Sequence, residues 1–161
     1  MRWTISHRAD VRALVLADRH YNRQKPGTPQ FVPPGRCLVL LTPETDALWV
    51  TSWPFAEWVR HAWAGAWVCS CFRNESDHLS SGLIMDAVAA TRWRYGDPPE
   101  LGMVTFVNDD KVRSTNPGYC YLMAGWRRVG RTQGGLTALQ LLPTEMPEPM
   151  PPIGAQMKMA I

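Results

Sequence analysis

Residues Ser80 to Tyr95 carry the most demanding pattern in the chain. Leu83, Ile84, Ala87, Val88, Thr91 and Tyr95 recur at about 3.6-residue spacing and so line one face of a helix. Ser80 or Ser81 can cap its start, and Gly96 followed by Pro98 and Pro99 stops it. A strand-like run, AWVCSCFR over Ala66 to Arg73, and the polar turn NESDHL precede it. A second strand-like run, GMVTFV over Gly102 to Val107, follows. A helix with an apolar stripe must bury that stripe, and flanking strands provide the surface.

The remaining elements fit around this unit. Trp3 to Ser6 is a short strand candidate. Ala9 to Tyr21 reads as a helix with Val11, Leu14 and Val15 on one face and Ala13, Leu16, Ala17 and His20 beside it. Asn22 to Arg36 holds four Pro and two Gly and is a long loop, of a kind that is often functional. Arg36 to Thr42 and Ala47 to Trp53 form an antiparallel pair about the turn Pro43 to Asp46. Phe55 to Trp63 reads as an irregular or short helical connection. Asn116-Pro117 opens a short helix with Pro at its first position and a face of Tyr119, Leu122, Met123 and Trp126. Arg127 to Thr132 and Leu136 to Leu142 form a final hairpin through Gly134-Gly135. The order β-α-ββ-β-α-β-α-β-β predicts a mixed α/β (α+β) domain with a mostly antiparallel sheet flanked by helices. Residues 1–142 form this single domain. Residues 143–161, with five Pro, read as a loosely packed or extended tail.

Composition agrees with one folded domain. The chain has 161 residues, 45 % apolar and 19 % charged, so it can build a core and is not disordered by composition. Eight Trp are many for this length. Core packing is the plain reading, and an exposed stacking surface the sharper one. The formal charge of +3 is mild, but the basic residues cluster. Lys111, Arg113, Arg127, Arg128 and Arg131 occur between Lys111 and Thr144 without a single Asp or Glu. Fourteen Arg stand against three Lys, which suits phosphate forks and also follows from a GC-rich genome. The N-terminus lacks an apolar stretch of signal-peptide length, and no apolar run could span a membrane. The four Cys therefore read as reduced thiols in a cytoplasmic protein.

The element order resembles that of the GNAT (acyl-CoA N-acyltransferase) superfamily, whose central strand, turn and helix hold the pyrophosphate of acetyl-CoA. AWVCSCFRNESDHLSSGLIMDAVAATRWRYG would be that unit here. The usual Gln/Arg-x-x-Gly-x-Gly/Ala signature is absent, and Asn74 to Gly82 stands in its place. Within the superfamily, several strings resemble the phage Mom-type DNA-modification proteins: His20-Tyr21, Arg73-Asn74-Glu75, Ser80-Ser81, GMVTFVN, and the PG…AGWRRVGRTQGGL run from Pro117 to Leu136. That resemblance implies modification of a DNA base, adenine in the family, and protection from restriction. It also implies an acyl donor, with acetyl-CoA as cofactor by analogy.

The residues offer matching chemistry. His20 can act as a general base or metal ligand, and Tyr21 as an acid or stacking platform. Against this stand a helix-end His and a packed Tyr. Arg73 can grip a phosphate and Glu75 can accept a proton, or the two can simply pair. Ser80 and Ser81 can bond a cofactor phosphate or serve as caps. Asn108 and Asp109 can orient or deprotonate an amine, or form a turn. Tyr119 matches the position from which the family's Tyr protonates a departing thiolate, with core packing as rival. Arg113, Arg127, Arg128 and Arg131 can hold DNA phosphates or form a solvated basic face. Cys69-Ser70-Cys71 suits zinc poorly, with the thiols expected on opposite sides of the sheet. An iron site near His20 and Asp109 is a further candidate. Two other readings stay open: an acetyltransferase for a small-molecule or protein amine, and a non-enzymatic DNA-binding module that could dimerise through exposed Trp.

Overall fold

The computed structural model describes residues 1–21, 23, 25–111 and 116–155. Seven strands form one sheet in the order β1-β2-β3-β4-β5-β7-β6. They are β1 (Thr4–Ile5), β2 (Arg36–Leu41), β3 (Ala47–Trp53), β4 (Trp67–Asn74), β5 (Met103–Val107), β6 (Arg127–Arg131) and β7 (Thr137–Leu141). The helices are α1 (Val11–Asp18), α2 (Ser80–Tyr95) and α3 (Tyr119–Met123), with short 3₁₀ turns at Ala56–Trp58 and Pro143–Glu145. All neighbouring strands pair antiparallel except β4 and β5, which the α2 crossover makes parallel. The mixed, mostly antiparallel sheet matches expectation.

Each face of the sheet has its own core. On one face α2 lays Leu83, Ile84, Ala87 and Val88 against Trp3, Trp49, Trp67, Cys69, Met103 and Leu139. On the other, α1 lays Ala13, Leu16 and Ala17 against Val39, Leu41, Leu48, Val50 and Cys71. Trp3, Trp49 and Trp67 are fully buried, so the plain reading of the Trp content holds for them. Trp3 Nε1 donates to the Leu83 carbonyl at 2.8 Å, and Trp49 Nε1 donates to Thr51 Oγ1 at 2.7 Å.

Several expectations are corrected. The first helix starts at Val11, because Asp10 caps it by accepting from the Arg12 N–H, and it ends at Asp18. His20 and Tyr21 thus follow the helix in a turn. Its buried face is Ala13, Leu16 and Ala17, while Val11 and Val15 are exposed. Neither Ser80 nor Ser81 caps α2; Leu79 occupies the cap position without a side-chain bond. Asn116-Pro117 does not open α3, because Gly118, at φ +81°, turns the chain first. That turn shifts the phase of α3, so Tyr121 is buried and Tyr119 and Met123 face outward.

The described part of the tail, up to Ala155, is tied down. Met146 enters the main core, the Met150 N–H donates to the Ala89 carbonyl at 3.1 Å, and Ile153 bridges Thr4 beside β1. Cys69 and Cys71 do lie on opposite faces, but strand alternation is not the reason. Alternation puts residues i and i+2 on one face. A bulge intervenes: Thr51 pairs with Cys69 and Val50 with Cys71, leaving Ser70 as the extra residue.

Candidate functional site

β4 and β5 pair for three residues only, Trp67 with Met103, Val68 with Val104 and Cys69 with Thr105. Both strands continue beyond that point, so the sheet opens between them. The Ser70 bulge sits where they part and bends β4 away. A narrow gap of about 20 Å³ lies in the opening, lined by His20, Tyr21, Cys69 to Phe72, Thr105 to Val107 and Tyr121. A cavity of about 780 Å³ adjoins it under the Pro-rich loop, lined by His20, Arg23, Lys25, Gln30, Phe31 and Ser70 among others. A recess of about 400 Å³ lies on the far side of Ser70, lined by Phe106, Asn108, Lys111 and Leu136. Both volumes are in the usual range for small-molecule sites.

His20 stacks on Tyr21 at 4.4 Å between centroids and an interplanar angle of 26°. Burial, aided by the Arg73 charge and opposed by a bond to the Phe72 backbone, brings its pKa down to about 4. The imidazole is therefore neutral at pH 7. A neutral ring that donates through one nitrogen keeps a lone pair on the other, which is the form a general base needs.

Tyr121 comes from α3 on the opposite face. Its hydroxyl lies 3.5 Å from Cys69 Sγ, and burial raises its pKa well above that of a free phenol. It therefore holds its proton. Phe72 and Trp126 flank the ring edge-on at 6.2 and 5.1 Å. Thr105 Oγ1 donates to the Cys69 carbonyl at 3.0 Å, which closes the polar network at the gap. Burial pushes the Cys69 thiol up to about 12, so it is no thiolate nucleophile at neutral pH.

No protein-family model, curated protein or solved structure matches this chain.

The expected residues divide into two groups. His20 and Tyr21 stand at the gap, and Asn108 lines the recess beyond Ser70. Asn108 also makes its turn, with Oδ1 accepting from the Asp110 N–H at 3.1 Å. Glu75 does not face the gap. It accepts from Arg19 at 2.7 Å through both oxygens and from Arg73 Nε at 2.9 Å. The Arg19 bond, then Arg73, holds its pKa below the ordinary range against burial, and both its oxygens are engaged by those arginines. Arg73 also donates to the Arg19 carbonyl and so clamps the end of α1 to β4. The plain ion-pair reading of Arg73 and Glu75 is the one observed. Asp109 accepts from Thr137 Oγ1 at 2.9 Å and from Arg131 at 3.2 Å, tying β5 to the final hairpin. Tyr119 is 53 % exposed and away from the gap, and Tyr121 takes the interior position instead.

Arg127 pairs with Glu145, and Arg128 donates to Asn116 and the Pro117 carbonyl. Arg113 lies outside the described residues. Ser80 Oγ accepts from Asn74 Nδ2 at 2.9 Å, and the same amide donates to the His78 carbonyl at 2.8 Å. The turn before α2 is thus closed by Asn74. Among the described residues no group of three His, Cys, Asp or Glu is placed to hold a metal ion. Ser70, Thr105 and Tyr121 also line the gap, and nothing in their local sequence marks them for it. A bulge leaves no compositional trace, and the phase of α3 depends on a left-handed Gly118.

Proposed function

We propose that this protein is a GNAT-like transferase of the phage Mom type, acting on the exocyclic amine of a DNA base. One observation carries the reading: neutral His20 and protonated Tyr121 flank, from opposite faces, the gap where β4 and β5 part. An amine must lose a proton as it attacks an acyl carbon, and a leaving thiolate must gain one. A neutral imidazole can accept a proton and a protonated phenol can donate one, which are the directions those two transfers need. The element order and the parallel pair at its centre also support the reading.

The start of α2 is the place for an acyl-CoA pyrophosphate. It has no side-chain cap, and the first helical N–H with a backbone acceptor is that of Leu83. Glu75, which would repel an anion, is drawn aside by Arg19 and Arg73. Arg2 lies against Gly82, where a Cβ would come within 3.0 Å of its guanidinium. The uncapped backbone of Ser80 to Gly82 therefore fits such a group, while the Arg2 guanidinium is already paired with Asp86 at 3.1 Å. When bound, acetyl-CoA would supply an activated acyl group. In this reading His20 accepts the amine proton, Tyr121 donates the proton to the leaving group, and the 780 Å³ cavity holds the everted base.

Nucleoside mass spectrometry on DNA from cells expressing the protein tests this. A mass-shifted nucleoside is expected with the wild type and not with His20→Ala or Tyr121→Phe. An unmodified digest from well-folded wild-type protein would overturn it.

A further inference from the structure

Arg127 and Arg131 on the final hairpin are held by Glu145 and Asp109. Another set of arginines is not neutralised. Arg8, Arg36 and Arg94 are exposed, and none is within ion-pair distance of a carboxylate among the described residues. They gather at one corner, where Arg36 opens β2, Trp53 closes β3 and Tyr95 closes α2. The Arg36 guanidinium lies 4.0 Å from the Trp53 ring centroid and 5.3 Å from that of Phe55. Arg94 lies 5.9 Å from the Tyr95 ring, which meets Trp53 edge-on at 5.3 Å. Arg8 donates to the Gly35 carbonyl and to Cys37 Sγ, on either side of Arg36. The charges of all three reach the Tyr95 hydroxyl.

Three guanidiniums without a counter-charge repel one another, and an arriving anion relieves that repulsion. The segment that runs on from Trp53, whose Phe55 ring faces Arg36, exposes large rings. Phe55 is 56 % and Trp58 75 % exposed. They bracket the 3₁₀ turn Ala56–Trp58, on which residues i and i+3 fall on the same side. The exposed carboxylates of the same segments, Glu57 and Asp97, form no ion pair with these arginines. The connection that carries Trp58 goes on to place His61 and Trp63 on Phe106, at 4.8 and 5.9 Å. Phe106 lines the strand gap, so the surface leads toward the cleft.

An acidic peptide would answer the charge and leave the rings uncovered. A nucleic-acid strand with unpaired bases answers both, because guanidinium forks take phosphates and every base has a face to stack. We infer that Arg8, Arg36 and Arg94, with Trp53, Phe55 and Trp58, bind a single-stranded stretch of nucleic acid. The inference deepens the DNA reading by naming the surface that holds the strand, and binding reports on it without chemistry.

Fluorescence anisotropy with the full chain tests it, using a labelled single strand of about twelve nucleotides and its matched duplex at several salt concentrations. The single strand should bind more tightly than the duplex. Replacing Arg8, Arg36 and Arg94 together by Gln should weaken it at least about tenfold and flatten the salt slope by about 2. Trp58→Ala should weaken the single strand and spare the duplex. Replacing Arg127, Arg128 and Arg131 by Gln should cost less. If the triple variant at the corner does not fold, Trp58→Ala and Arg8→Gln alone, both at exposed side chains, decide the matter. Wild-type-like binding by the corner variants, no binding at low salt, a preference for duplex, or equal competition by poly-glutamate would each overturn the surface. Modified nucleosides in cells with binding indifferent to these arginines would sink this surface and leave the DNA reading standing. Arginine-dependent binding with unmodified DNA would do the reverse.

Discussion

The Tyr121 hydroxyl lies 3.5 Å from the Cys69 sulfur, buried at the point where β4 leaves β5. The phenol and the thiol both have their pKa raised by burial, so both hold their protons at neutral pH. Tyr121→Phe keeps the ring against Phe72 and Trp126 and removes only the hydroxyl. Folding should persist with a melting temperature close to that of the wild type. DNA base modification, measured by nucleoside mass spectrometry, should fall by about 100-fold or more. Tyr119→Phe, at an exposed position, should leave it unchanged.

His20 sets a pH dependence. Its pKa is lowered from 6.5 to about 4 in the folded chain. Between those values the unfolded chain binds more protons than the folded one, so stability falls as pH drops from about 6.5 to about 4 and levels off below. Burial lowers His61 as well, which adds in the same direction. His20→Gln should remove its share. Urea midpoints at pH 7 and pH 4.5 should therefore differ less in the variant than in the wild type. An equal difference would show that His20 is not buried neutral.

Gly102 is held by close backbone approach. Its φ is +67°, and a Cβ there would stand 2.0 Å from the Leu141 carbonyl oxygen. Gly102→Ala should cost more than about 3 kcal/mol by chemical denaturation, since backbone must move and β5 must shift against β7. Gly96→Ala is the control. Its φ is +80°, but nothing lies within 4 Å of the added Cβ, so it should cost only about 1 kcal/mol.

Met146 tests whether the C-terminal segment belongs to the folded body. It is 8 % exposed and lies in the core on the α2 face. Met146→Ala should lower stability by about 2 to 4 kcal/mol in the same denaturation experiment. A loosely packed tail would give no change.

Local pattern made most of the fold legible. Ala47–Trp53 and Ser80–Tyr95 have the bounds their residues predict, because β-branched and aromatic alternation and 3.6-residue spacing are local properties. The sequence pattern overextends the first helix, because Asp10 caps it one residue later and apolar Val11 and Val15 mimic a buried face while they stand exposed. The C-terminal segment looked loose because five Pro give no periodicity, yet Met146 and the Ile153 bond to Trp3 need only position. At the site, His20 and Tyr21 could be picked out by residue type. Glu75, Asp109 and Arg73 were equally plausible by type, and their partners Arg19, Thr137, Arg131 and Glu75 decided otherwise.

The sequence by itself determined the order of strands and helices, the two-sided packing that follows from it, and the excess of arginine. Hydrophobic period, turn residues and composition act over a few neighbours, so a linear reading reaches them. The tertiary structure alone decided where β4 and β5 part, that Ser70 is the extra residue of a bulge, and that Tyr121 rather than Tyr119 faces the gap. It also decided which arginines are neutralised and which stand together without a carboxylate. Each of these depends on residues far apart in the chain meeting across the sheet. A one-residue shift in strand register or helix phase changes the answer without changing the local pattern.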